Sequence, residues 1–127
     1  MTKTYLLKLT DNEMDILSDT FEMEIQIEDD LGNDESVKYY KKLDKKLWKS
    51  NKFTQQEIGT FSKLSWEQEN HYACTHEELS NYFGSLYDKV SKLLEDVKKL
   101  KEVRAKKERL EEIERNYERL LVEQVND

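Results

Sequence analysis

At 127 residues, 39% of them charged, with a mean hydropathy of -0.97 and a formal net charge of -7, the chain has room for one domain and an appendage. The acidic balance argues against nonspecific adhesion to nucleic acid or anionic membranes, no apolar run reaches the roughly 20 residues of a membrane span, and no signal-peptide core opens the chain. Thirteen aromatics, no proline and three glycines favour helices over disorder, and the lone Cys74 allows no internal disulfide, which points to a reducing cytoplasm.

Charge is segregated along the chain. Residues 11–35 hold eleven carboxylates and no cation, whereas residues 38–52 hold seven lysines and one aspartate. Like-charge blocks attract the opposite sign, so the pattern speaks about partners before it speaks about fold.

Residues 4–9 read as a short strand or an extended lead-in. Three helix starts then share one signature. Thr10 with Glu13, Thr54 with Glu57, and Thr75 with Glu78 each match a capping box, in which the Thr hydroxyl accepts from the third amide and the Glu reaches back. Each is stapled by apolar residues on either side: Leu9 with Met14, Phe53 with Ile58, Cys74 with Leu79.

A first helix is predicted from Asp11 to about Asp30, burying Met14, Leu17, Phe21 and Ile25. Over residues 21–28 a competing alternation appears, with Phe21, Met23, Ile25 and Ile27 spaced as on a half-buried strand. The Glu, Met and Gln content favours the helix. A glycine turn at residues 31–34, with Asn/Asp caps, leads to a second helix over about 35–49 that presents Val37, Tyr40, Leu43 and Leu47. The short connection implies an antiparallel hairpin, acidic helix against basic helix. A third helix, from Gln55 to about Tyr72, buries Ile58, Phe61 and Leu64.

The last helix is predicted from His76 to about Val125. Phe83, Leu86, Val90, Leu93, Val97 and Leu100 keep heptad spacing, then Val103, Leu110, Ile113, Tyr117 and Leu120 resume it one residue early. On a straight helix that offset turns the stripe by about 100°. The first stripe is assigned to the protein's own core and the second to another chain, giving a homodimer; local overwinding or a hairpin near 98–107 are the alternatives. The expected fold is therefore all-α. A small helical domain over 1–76 holds a helical hairpin and a third helix, packed on a long coiled-coil-like C-terminal helix over 77–127, whose distal half self-associates.

Chemistry is sparse. His71, Cys74 and His76 fall within six residues, but a zinc site needs a fourth ligand and the sequence has no other Cys or His, so no metal or cofactor is expected. There is no phosphate loop, no H-E-x-x-H and no nucleophile elbow, so no enzyme is expected. The basic cluster Lys98, Lys99, Lys101, Arg104, Lys106 and Lys107 reads either as phosphate contacts or as a solvated helical face.

Residues 78–93 resemble a helix-turn-helix, with Leu79, Ser80, Phe83, Gly84, Val90 and Leu93 at its core and turn spacing; Ser85 and Leu86 look exchanged against the usual pattern. The resemblance implies that Tyr87, Lys89, Ser91 and Lys92 face a DNA groove. Direct nucleic-acid binding is the second choice, because the basic footprint is small. In size, acidity and lack of catalytic motifs, and in Leu9-Thr10-Asp11-Asn12-Glu13-Met14 followed by Gly32-Asn33-Asp34-Glu35, the chain resembles small phage-encoded accessory proteins, including anti-CRISPR inhibitors of host defence. That resemblance implies a protein-binding inhibitor in the host cytoplasm. The carboxylates expected to meet a basic, nucleic-acid-binding surface are Glu22, Glu24, Glu28, Asp29 and Asp30.

Overall fold

The computed structural model describes residues 3–126, with side chains described as far as residue 122. Residues 1, 2 and 127, the outer ends of the two expected domains, lie outside the described residues. Two short strands and four helices follow one another as β1 (Tyr5–Leu6), α1 (Asp11–Asp30), α2 (Asp34–Lys49), β2 (Lys52–Phe53), α3 (Gln55–Tyr72) and α4 (Glu77–Asn126). The fold is all-α apart from the single antiparallel pair, in which Tyr5 faces Phe53 and Leu6 faces Lys52.

Local chemistry explains the helix starts. At Thr10 and Thr54 both arms of the capping box form: the Thr hydroxyl accepts from the Glu13 or Glu57 amide, and that Glu accepts from the Thr amide at 2.8 Å. The third box does not form as expected. The Thr75 and His76 amides both donate back to the Tyr72 carbonyl, prolonging the end of α3 by a turn. Entry into α4 is thereby delayed to Glu77, and the Thr75 hydroxyl sits 3.1 Å from His76 Nδ1. Residues 21–28 are helical throughout, so the strand alternation there does not prevail.

α1 ends in a Schellman motif. Gly32 takes φ +75°, the Asn33 amide reaches the Glu28 carbonyl, and the Gly32 amide reaches that of Asp29. The Asn33 side chain does not cap α2; it donates to Glu28 Oε2 at 2.6 Å instead.

The core gathers Leu7, Leu17, Phe21, Leu43, Leu47, Phe53, Ile58, Phe61, Leu64, Leu86 and Val90. Phe61 is central, with the Phe53 ring edge-on at 5.0 Å and Phe21 at 6.0 Å. The start of α4 packs on α3 through small side chains. Ser62 and Ser91 share a hydrogen bond of 3.0 Å, Ser80 donates to the Glu69 carbonyl, and Phe83 stacks on Tyr72. Gly84 belongs to this contact, since a Cβ there would meet Glu69 Oε1 at 2.9 Å.

The first compact unit extends to Leu94, past the boundary drawn at residue 76, because Phe83, Leu86 and Val90 bury themselves in its core region. Residues from Glu95 onward form a second unit. Val97 is buried, but Leu100, expected to close the first stripe, is exposed.

Candidate interaction surfaces

The five carboxylates singled out on α1 do not share one face. Successive helical residues turn by about 100°, so Glu22 and Glu24 point roughly 200° apart. Glu22, Asp29 and Asp30 are exposed, in line with Asp15 and Asp19 from the same helix, whereas Glu24 and Glu28 are half-buried towards α2 and α3. Burial raises the Glu24 carboxyl above its ordinary range, and the negative charges of Glu67 and Glu28 add to this against a smaller pull from Lys63. Burial, with Glu24, Glu28 and Glu67 nearby, likewise raises the Tyr40 hydroxyl.

Met23 and Ile27 are exposed beside the outward acidic row, and the exposed Leu31 follows at the next i+4 position. At the N-terminal end of that row a cleft of about 610 Å³ opens between α1 and the start of α4. Ile16, Leu79 and Tyr82 line it together with Asp15, Glu77 and Glu78. Only tertiary structure brings these segments together, so the sequence carries no direct signal for the cleft.

The hairpin sets α1 beside α2, but the lysine block does not pair directly with the α1 acids. Among the described residues no ion pair joins α1 to α2; the pairs run from Lys46 to Glu57, Lys63 to Glu67 and Lys89 to Glu13. Lys46 lies 2.6 Å from Glu57 and also over the Phe53 ring. Burial would raise Glu57, but the Lys46 contact and the Thr54 amide outweigh it and hold the carboxyl low. Glu13 is held low in the same way, against its burial, by Lys89 and the Thr10 amide. The stability from both carboxylates is therefore present above their unfolded pKa and is lost as pH falls through the folded one. Lys38, Lys41, Lys42, Lys45, Lys49 and Lys52 stay exposed, with the half-exposed Trp48 among them. Trp48 was not singled out from sequence; a large apolar ring inside a lysine run is the signal for it.

The helix-turn-helix resemblance meets an unbroken helix. Residues 78–93 lie inside α4, and Gly84 sits within the helix beside the Glu69 carboxylate rather than at a turn. Of the four residues implied to read DNA, Lys89 is engaged by Glu13 and Ser91 by Ser62, which leaves Tyr87 half-buried and Lys92 exposed.

Around the α3–α4 turn, the Tyr72 ring packs edge-on against both His71 and His76. Cys74 is free and exposed. Among the described residues no group of three or more His, Cys, Asp or Glu is arranged to hold a metal ion, and no helix is long and apolar enough to cross a membrane.

In the second unit, Val103, Leu110, Ile113, Tyr117 and Leu120 are between 56% and 67% exposed. They share one side of the helix by their 3- and 4-residue spacing, and Leu121 and Val122 are exposed next to them. Comparison with protein-family models, with curated proteins and with solved structures gave no match.

Proposed function

We propose that this chain is a non-enzymatic protein-binding module that acts in the cytoplasm. Its outward acidic row covers a basic, nucleic-acid-binding surface of a target protein. The observation that carries the reading is that Asp15, Asp19, Glu22, Asp29 and Asp30 are exposed and, among the described residues, join no ion pair. Carboxylates spaced along a rigid helix offer a basic groove what phosphates offer it. Met23 and Ile27 beside them supply apolar contact, and the neighbouring, mostly apolar cleft adds a recess with Asp15, Glu77 and Glu78 among its lining residues. The resemblance to phage accessory proteins supports nucleic-acid-handling enzymes of host defence as the target class.

The second part of the proposal is self-association through Val103, Leu110, Ile113, Tyr117 and Leu120. A seam this exposed over several turns is what a helix–helix interface leaves when one partner is removed.

The acidic surface is tested by capture from a host lysate on the immobilised protein. A basic protein should be retained, released as salt rises, and displaced by duplex DNA. The fivefold variant Asp15→Asn, Asp19→Asn, Glu22→Gln, Asp29→Asn, Asp30→Asn should lose it, whereas Glu24→Gln with Glu28→Gln should keep it. Equal retention by the fivefold variant contradicts the proposal.

A further inference from the structure

The seam of the second unit has a register that names its own partner. Taking Val103, Leu110 and Tyr117 as one seam position makes Lys106, Ile113 and Leu120 the other, four residues before the next turn of the first. The outer positions are then mostly charged: Arg104, Glu108, Glu111, Glu112, Arg115 and Glu118. The flanking positions are what distinguishes one occupant from another. Glu102 precedes the seam on one side and Lys107 follows on the other, five residues on; Arg109 and Glu114 repeat this one heptad later with the signs reversed.

Residues five apart are not side-chain neighbours on a single helix, where neighbours are three or four apart. Five is, however, the spacing that ion pairs use between two parallel helices in register. Among the described residues none of these four side chains has an ion-pair partner in its own chain.

We infer that residues 102–121 pair in parallel and in register with a second copy of this chain, Glu102 meeting Lys107 and Arg109 meeting Glu114 across the seam. The inference rests on the self-association proposed above and deepens it by fixing partner and orientation. The two-fold axis repeats each ion pair, so four form per dimer. Five of the six seam layers are then apolar on both sides. The sixth sets Lys106 against its own copy, with the methylene stems covering the seam and the ammonium groups reaching water. That layer costs stability and sets register, because a slip of one heptad would bring a lysine into two layers instead of one. An antiparallel pair would match Lys107 with Glu114 but leave Glu102 and Arg109 without an opposite charge at the facing position.

Val103→Cys and Leu120→Cys, each made in full-length protein carrying Cys74→Ser, test this. In the parallel pair Val103→Cys oxidises to a disulfide-linked dimer by itself, and so does Leu120→Cys. A mixture of the two gives no mixed disulfide beyond chance exchange, because 17 helical residues span about 25 Å. Mixed disulfides alone overturn the parallel arrangement while leaving self-association standing; a single-chain mass under reducing conditions overturns self-association itself. A charge swap gives the independent check. Arg109→Glu should weaken the dimer by about tenfold, and adding Glu114→Arg should restore it. No weakening, or no restoration, contradicts the assigned flank pairs.

Discussion

The two ends of α4 carry the same sequence signal and meet different fates. Phe83, Leu86 and Val90 are buried in the first unit; Val103, Leu110, Ile113, Tyr117 and Leu120 repeat the spacing and stay exposed in the second. Periodicity marks a helix face that has to be covered. It does not say whether the cover comes from the same chain. The one-residue offset between the stripes ends one packing face and begins another.

Breaking the comparison at its deepest point gives the largest effect. Phe61 is fully buried between Phe53 and Phe21, so Phe61→Ala should cost about 3–5 kcal/mol in urea unfolding. Ile113→Ala, at concentrations low enough to keep chains apart, should stay within about 0.5 kcal/mol of the parent. Comparable losses at the two sites would mean that the second stripe already has an intramolecular partner.

The helix starts sharpen the comparison at smaller scale. Thr54→Ala removes a formed capping box and should cost about 1 kcal/mol. Thr75→Ala removes a hydroxyl that caps nothing and should be near neutral; equal losses would place the start of α4 at Thr75 after all. Gly84→Ala probes the same helix. Its new methyl group meets only the flexible end of Glu69, so the gain in helix propensity should prevail and stabilise the protein by roughly 0.5–1 kcal/mol. Destabilisation there would mean that the Glu69 carboxylate cannot move aside.

The smallest effect is electrostatic. The Glu24 carboxyl is raised in the folded state, so the stability it costs grows as pH rises from the unfolded pKa to the folded one. Glu24→Gln should therefore unfold at a higher temperature than the parent at pH 7, and the difference should vanish below the ordinary carboxylate range. A difference independent of pH would assign the effect to shape rather than charge.

Much of the fold was legible because its determinants are local. Capping boxes and staples lie within five residues of one another, and they place the starts of α1 and α3 correctly. The third of these helices, α4, begins within one residue of the predicted place, but its box does not form because two amides turn back to Tyr72, a competition that the T-x-x-E pattern does not contain. β2 has two residues and no alternation of its own, so only its pairing with Tyr5–Leu6 reveals it. The acidic block was legible as composition but misleading as a surface. Treating Glu22 to Asp30 as one patch ignored the helical turn between Glu22 and Glu24, which sends one outward and the other towards Tyr40 and Glu67. The lysine block was expected to answer the acids of α1 because the two helices are neighbours. Neighbouring axes do not fix which faces meet, and Lys46 turns to α3 instead.

The contrast between the two stripes is tested most directly by the mass of the protein in solution. Sedimentation equilibrium on the full-length chain should give two copies of the 15.3 kDa chain. Ile113→Glu with Leu120→Glu should give one, with the far-ultraviolet helix signal of the first unit and its urea midpoint retained. A wild-type mass of one chain, or a variant that remains a dimer, would contradict the assignment of the distal stripe to a second copy.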